Sequence, residues 1–275
     1  MNYGISNRNG QINENQISKI LDFAWENGID TLDTAKTYGS SEKSNGNYIK
    51  KNPDKSWKII TKINDEKNIV SQINDSIKKL TIRPTLMMAH SAELFLDNNF
   101  QKELCNAIDK KIVKKGGVSL YNENELNQVL NTDFKPDVIQ LPMNILDTRL
   151  YRKGILTLLY KKGIEIHVRS AFLQGLFYIN ESKLKNHFSD VIPYIKKLKS
   201  IAAEAQLTLA EFSLLWLVSL NEVSKVIIGV DNVKQLKTHL MIINKKLNPS
   251  LFEQALSIHY ENKNILNPSL WPSMS

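Results

Sequence analysis

The alternation of two hydrophobic periodicities along the chain restricts its fold more than any other feature. Seven short apolar runs rich in β-branched residues predict buried strands, and amphipathic helices are predicted between them. Strands joined through helices run parallel, and strands that are apolar nearly throughout are typical of a parallel sheet covered on both faces. The predicted strands are residues 28–33, 57–62, 85–90, 117–120, 137–142, 164–170 and 225–229.

The helices between these strands carry their own start and stop signals. Asn13 with Gln16, and Thr208 with Glu211, form predicted capping boxes, and Gly28 is a predicted C-terminal stop. Three apolar faces repeat at helical spacing, and we interpret them as core. They comprise Ile17, Ile20, Leu21, Ala24 and Trp25; Ile69, Ile73, Ile77 and Leu80; and Leu209, Phe212, Trp216 and Leu220.

Two architectures fit this alternation: an open doubly wound sheet and a closed (β/α)8 barrel. A dinucleotide-binding doubly wound sheet should carry G-x-G-x-x-G after its first strand, and the sequence has no such motif. The length of 275 residues and the number of units favour the barrel, and no linker divides the chain. We therefore predict a single domain over residues 1–275. A barrel needs eight strands, and residues 1–6 are the only place left for another.

Composition excludes several classes of protein. Hydrophobic residues make up 42% of the chain and charged residues 23%, as in soluble globular proteins. The single cysteine, Cys105, excludes a disulfide framework and a cysteine-based zinc site, and no metal site is predicted. No apolar run approaches the ~18 residues of a membrane span, and the first residues do not resemble a signal peptide. A cytoplasmic protein that binds no membrane is expected.

The net charge of +8 comes from lysine doublets spread along the chain and not interleaved with aromatic residues. A nucleic-acid interface would need a clustered basic patch. We therefore interpret the lysines as a solvated surface and predict no nucleic-acid partner.

Polar residues recur where predicted strands end, which in (β/α)8 barrels is the edge where chemistry collects. One such residue can be a satisfied core group, but several on one rim indicate a site. They are Asp33, Lys62, His90, Ser119, Gln140, Arg169 and Ser170.

Three of these residues, Asp33, Lys62 and His90, form a coherent acid catalyst together with Tyr38. The phenol of Tyr38, just beyond the strand that ends at Asp33, has an ordinary pKa near ~10 and is a poor acid at neutral pH. The Lys62 ammonium would favour the phenolate and lower that pKa, and Asp33 would hold Lys62 charged and in place. Neutral His90 can donate a hydrogen bond to a carbonyl group. Together they could protonate a carbonyl oxygen as hydride reaches its carbon.

Residues 33–42 read D-T-A-K-T-Y-G-S-S-E and resemble the aldo-keto reductase signature D-T-A-x-x-Y-G-x-S-E. Further segments resemble the family in the same order, and residues 3–7 and 169–175 resemble a bacterial branch of it. The ordered matches are Thr61-Lys62, Ala89-His90-Ser91, Gly117-Val118-Ser119, Gln140-Leu141-Pro142-Met143-Asn144, Ile227-Ile228-Gly229-Val230 and Gln235-Leu236.

The resemblance implies a (β/α)8 fold and reduction of a small-molecule aldehyde or ketone with NADP or NAD as the cofactor. Tyr38 would be the general acid, tuned by Lys62 and Asp33, and His90 would orient the carbonyl. Ser119 and Gln140 would hold the nicotinamide carboxamide. The remaining predicted cofactor-binding residues are Arg169, Ser170, Gly229, Val230, Asp231 and Gln235. The sequence leaves the particular carbonyl compound and the oligomeric state open.

The sequence departs from the family at two places in the cofactor site. Arg169 replaces the aromatic ring that usually stacks on the nicotinamide. Val230, Asp231 and Gln235 replace the Lys, Ser and Arg that surround the 2′-phosphate in NADP-preferring members. These replacements predict weaker discrimination in favour of NADPH.

A third departure concerns the first strand, because the family's L-G-x-G-T-x-x-F-G segment is absent before Tyr3-Gly4. The expectation is a barrel that lacks its first strand, with a gap between residues 29–33 and 225–229. An internal start and a complete but weakened chain both fit this departure.

Two other functions are weighed against the reductase. A non-catalytic barrel of the same family, which binds a cofactor or a partner, is the first. A phosphosugar isomerase or aldolase barrel is the second, and only Gly229-Val230 offers it a glycine for a phosphate loop.

Overall fold

The seven predicted strands all form in the computed structural model of the chain, which describes residues 12–184 and 186–271. They are β1 Thr31–Asp33, β2 Lys58–Ile63, β3 Leu86–Ala89, β4 Lys115–Ser119, β5 Val138–Pro142, β6 Glu165–Arg169 and β7 Lys225–Val226.

Helices separate the strands, as the periodicity predicts. The α-helices are α1 Glu14–Glu26, α2 Ser41–Lys51, α3 Ile69–Leu80, α4 Ala92–Leu96, α5 Asn98–Asp109, α6 Glu123–Leu130, α7 Arg149–Arg152, α8 Ile155–Lys161, α9 Ile192–Glu204, α10 Leu209–Val218, α11 Val233–Ile243, α12 Pro249–Leu256 and α13 Lys263–Leu266. Short 3-10 helices cover Leu173–Tyr178, Glu181–Lys183, Asn186–Val191 and Pro268–Leu270.

The sheet follows the chain, in the order β1 to β7. The pairs from β1–β2 to β4–β5 are parallel, and so is β6–β7. Strands β3 and β5 are buried at every residue, as expected for strands covered on both faces.

Two compact units make up the described chain. The first contains residues 12–141 and 163–165, and the second contains residues 142–162 and 166–271. The single domain over residues 1–275 stays a prediction.

Both predicted capping boxes are confirmed. Asn13 accepts from the Gln16 backbone N–H at 2.9 Å, and the Gln16 side chain accepts from the Asn13 backbone N–H at 3.0 Å. Thr208 and Glu211 do the same at the start of α10. Gly28 ends α1 with a φ of 79°, a conformation that favours glycine.

Five of the seven strands are shorter than predicted, and two of them lose at least half of their predicted length for a backbone reason. The predicted strand 28–33 begins at Thr31, because Gly28 and Ile29 bond back to Trp25 and Ala24 and so complete the end of α1. The predicted strand 225–229 ends at Val226. The Ile227 N–H still donates to the Val168 carbonyl at 2.7 Å, and the ladder stops there.

Helices α2 and α3 approach each other so closely that only glycine fits at one position. A Cβ atom at Gly46 would lie 1.9 Å from the Lys79 carbonyl oxygen. Backbone in contact with backbone therefore sets the spacing of the two helices.

Residues 1–6, the only place left for an eighth strand, lie outside the described residues. Within the described part of the chain β1 and β7 occupy the two ends of the sheet order. The gap between residues 29–33 and 225–229 stays a prediction.

Among the described residues no single helix is long and apolar enough to cross a membrane. One pair, His187–Glu204 with Leu209–Val218, meets the criterion only when the two are joined across a 75° bend.

Candidate active site

A buried ion pair lies where β1 and β2 end. Lys62 Nζ is 2.6 Å from Asp33 Oδ1, and the side chains are 1% and 9% exposed. Lys62 also donates to the Thr34 carbonyl at 3.1 Å. Burial of two charges is unfavourable unless each is paired and hydrogen-bonded, and both conditions are met here.

The second oxygen of the Asp33 carboxylate accepts from Gln140. Gln140 Nε2 lies 2.9 Å from Asp33 Oδ2, across 107 residues of sequence. Gln140 is register partner to Ser119 between β5 and β4, and both side chains are buried. Both carboxylate oxygens are thus engaged by nitrogen donors.

Tyr38 and His90 lie beside this ion pair. Lys62 Nζ is 5.4 Å from the centroid of the Tyr38 ring. The Tyr38 and His90 rings meet edge to face, with centroids 5.8 Å apart and planes at 77°. Thr37 Oγ1 contacts His90 Nδ1 at 3.3 Å. The structure therefore brings together the four side chains predicted as an acid catalyst.

The loop between β1 and α2, residues 34–40, carries Tyr38 and is held along its length. Its Thr34 N–H donates to the Ile60 carbonyl at 2.8 Å, and its Lys36 N–H donates to the Lys62 carbonyl at 3.2 Å. The Thr34 hydroxyl donates to Ser41 Oγ at 2.8 Å. A turn bond of 3.0 Å from the Tyr38 N–H to the Ala35 carbonyl closes the loop. The phenol is therefore presented on an ordered segment.

In the second unit, Arg169 and Ser170 lie at the end of β6. Ser170 has a φ of 64°, which is uncommon for a residue with a side chain. Its carbonyl accepts from Asn144 Nδ2 at 3.2 Å, and the Arg169 carbonyl accepts from the Met143 N–H at 3.0 Å. These contacts hold the turn after β6 in a fixed shape.

The other predicted cofactor-binding residues, Gly229, Val230, Asp231 and Gln235, lie between β7 and the first turn of α11. Asn232 caps this helix by accepting from the Gln235 N–H at 2.9 Å. Gln235 Oε1 accepts from the Asp231 N–H at 2.7 Å. Two hydrogen bonds at the start of α11 therefore link Asp231 and Asn232 to Gln235.

Sequence reasoning missed a second group of the same three residue types in the first unit. We call Asp22, Tyr48 and Lys55 the Asp22 cluster, and Asp33, Lys62 and Tyr38 the Asp33 cluster. The Tyr48 hydroxyl donates to Asp22 Oδ1 at 2.6 Å. Lys55 donates to the same oxygen and, at 2.9 Å, to the Tyr48 hydroxyl. No motif marks this cluster, because its members come from two helices and a connecting turn.

The pKa of Tyr48 is raised to about 12. Burial is the main cause, followed by the hydrogen bond to Asp22, which favours the protonated phenol. Hydrogen bonds from Lys55 and Tyr48 lower the pKa of Asp22. The Asp22 cluster therefore keeps its phenol neutral.

A buried carboxylate in the signature segment also has no role predicted from the sequence. Glu42, in the first turn of α2, accepts a hydrogen bond of 2.7 Å from Thr61 Oγ1, and both residues are buried. It joins α2 to β2 next to Lys62.

Comparison with known proteins gives consistent results. Residues 1–259 match the profile of the Aldo/keto reductase family. Aldo-keto reductase AKR11C1 from Bacillus halodurans, in its holo form, is similar with a TM-score of 0.78 and 19% identity, over 92% of this chain and 91% of that chain. A thermostable aldo-keto reductase, Tm1743, in complex with the inhibitor epalrestat, gives a TM-score of 0.73 and 19% identity, over 92% of each chain. These likenesses confirm the predicted (β/α)8 fold class, and seven described strands agree with a missing first strand.

Proposed function

Because the chain belongs to the Aldo/keto reductase family, we propose that this oxidoreductase reduces an aldehyde or ketone with a nicotinamide cofactor. The observation that carries the proposal is the buried Lys62–Asp33 pair beside the Tyr38 ring, with His90 at the edge of that ring. The partner would be a small-molecule carbonyl compound.

In the proposed reaction the cofactor, when bound, supplies hydride to the carbonyl carbon. Tyr38 donates its phenolic proton to the carbonyl oxygen, so that hydride and proton together give the alcohol. The Lys62 ammonium stabilises the phenolate that remains, and Asp33 and the Thr34 carbonyl hold that ammonium in place. His90 orients the carbonyl oxygen by donating a hydrogen bond.

The donor set of the first unit fits a nicotinamide carboxamide, which needs both a donor and an acceptor. Ser119 offers a hydroxyl and Gln140 an amide, on neighbouring strands. The Gln140 nitrogen donates to Asp33, so its amide oxygen is the atom we assign to the carboxamide N–H.

The proposal is tested with NADH and NADPH titrations, followed by nicotinamide fluorescence, and with turnover of a panel of aldehydes and ketones. Tyr38→Phe should lower turnover by at least about 100-fold and leave cofactor binding nearly unchanged, because only the acid is lost. Tyr48→Phe is the matched control and should retain turnover. Equal turnover in Tyr38→Phe and the wild type would exclude Tyr38 as the acid. Cofactor binding without turnover of any compound would support the non-catalytic barrel instead.

We also propose that the protein discriminates weakly between the two cofactors. Asp231 would place a negative charge near a 2′-phosphate, and Val230 and Gln235 cannot replace a cationic clamp. The expected ratio of the two dissociation constants is below tenfold, about 1.4 kcal/mol. NADPH binding more than tenfold tighter than NADH in the same titration would contradict this assignment.

A further inference from the structure

Lys36 connects the loop that carries Tyr38 to a neighbouring helix. We propose that Lys36, through its ion pair with Asp75 of α3, is a positioning residue for the Tyr38 phenol. This inference rests on the proposed function, in which Tyr38 is the acid.

Lys36 is fixed at both its backbone and its side chain. The Lys36 N–H donates to the Lys62 carbonyl at 3.2 Å, which joins the loop to the strand that supplies the buried ammonium. The Lys36 Nζ lies 2.7 Å from Asp75 Oδ2 and 3.5 Å from the Gln72 carbonyl. Its side chain is 16% exposed, so the cation is largely enclosed. Lys36 is two residues before Tyr38 and therefore restrains the loop close to the phenol.

Helix α3 is a firm anchor for this restraint. Its C-terminal end contacts α2 at Gly46, so the two helices cannot approach further. Helix α2 begins directly after the loop. Because α3 contacts α2 at Gly46 and pairs with Lys36 through Asp75, it restrains the loop relative to α2. Asp75 remains anionic over the useful pH range, because hydrogen bonds from Lys36 and then Lys79 lower its pKa to about 2.

An ion pair of this exposure is expected to influence position more than stability. Pairs near the surface contribute about 0–1 kcal/mol to folding. In contrast, a misplacement of a reacting group by about 1 Å can cost about 100-fold in rate. Loss of the Lys36–Asp75 pair should therefore change turnover without unfolding the protein.

Lys79 provides a matched control, because it lies in α3 and pairs with the same oxygen of Asp75 at 2.9 Å. Lys36→Met and Asp75→Asn break the ion pair between the loop and α3, whereas Lys79→Met removes the same charge as Lys36→Met and leaves that ion pair in place. Lys36→Arg keeps the cation. The double variant Lys36→Met/Asp75→Asn should lose no more than either single variant.

Two readouts test the proposal in the full chain. The first is kcat and KM for the best carbonyl compound, where Lys36→Met and Asp75→Asn should each lower kcat by roughly tenfold or more, with cofactor affinity unchanged. The second is fluorine NMR of protein labelled with 3-fluorotyrosine at its nine tyrosines, with the Tyr38 signal assigned from Tyr38→Phe. That signal should shift or broaden in Lys36→Met and Asp75→Asn, and return in Lys36→Arg.

An unchanged Tyr38 signal in Lys36→Met would overturn the proposal, as would equal effects of Asp75→Asn and Lys79→Met. If the wild type reduces no carbonyl compound, the proposed function fails. The Tyr38 signal then still decides whether the ion pair positions the phenol.

Discussion

The Asp33 cluster and the Asp22 cluster use the same three residue types in opposite ways. In the Asp33 cluster the lysine is buried, and the carboxylate accepts from Lys62 and Gln140. In the Asp22 cluster the tyrosine is buried, at 3% exposure, and the carboxylate accepts from the phenol itself. Asp22 is 43% exposed, so this second carboxylate lies near water.

The difference shows how the partners of the carboxylate decide what a phenol can do. A phenol that donates to a carboxylate holds its proton, as the raised pKa of Tyr48 indicates. Where nitrogen donors occupy both carboxylate oxygens, the charge serves to hold the lysine. In the proposed reaction, that lysine would stabilise the phenolate left when Tyr38 gives up its proton. Residue type alone therefore does not distinguish an acid from a structural tyrosine.

The largest expected difference between the clusters is in stability after loss of the lysine. Lys62→Met leaves the buried Asp33 without its cation and should lower the free energy of unfolding by about 3–5 kcal/mol. Lys55→Met breaks a pair whose carboxylate is near water and should cost about 0–1 kcal/mol. Urea unfolding of both variants at pH 7 measures the difference. Equal losses would mean that burial does not separate the clusters.

The tyrosines should show the reverse order of effects on stability. Tyr48→Phe removes a buried hydroxyl that bonds to two partners and should cost about 1 kcal/mol while turnover is retained. Tyr38→Phe should change the free energy of unfolding by less than that, because Tyr38 is only half-buried. Thermal unfolding beside the turnover assay provides both numbers. A more stable Tyr48→Phe variant would contradict the structural role of the Asp22 cluster.

A third expected difference is the alkaline response of Tyr48. Its pKa is about 12 in the folded protein and ~10 in an unfolded chain, so folding favours the protonated phenol. The resulting stabilisation is complete below pH ~10 and is lost as pH rises towards ~12. Wild-type protein should lose more stability than Tyr48→Phe between these values, in urea unfolding compared at matched pH. Parallel pH profiles for the two proteins would show that Tyr48 does not contribute.

Much of the fold and part of the site could be predicted from the sequence. The strands follow from apolar runs, and the meeting of Asp33, Lys62 and His90 follows from the rule that parallel strands end on one edge. The end of β7 at Val226 could not be predicted, because Ile227 and Ile228 have strand-like side chains but the backbone pairing stops.

Contacts that depend on packing could not be predicted from the sequence, for a different reason. The Gln140–Asp33 hydrogen bond depends on the register of strands far apart in the chain. The Lys36–Asp75 bond depends on how a loop lies against α3, and the Asp22–Tyr48 bond depends on how α1 approaches α2. Periodicity specifies neither of these approaches. Side-chain spacing within one element therefore carries no signal of these contacts.

The contact at Gly46 has a consequence for how the protein can change during evolution. Since the main chains of α2 and α3 touch there, no substitution elsewhere on the two helices can bring them closer, and any side chain at residue 46 separates them. Outward-facing positions such as Val70, which is half exposed, are free to vary without altering this distance. Libraries of variants made to broaden substrate range should keep residue 46 constant and concentrate diversity elsewhere.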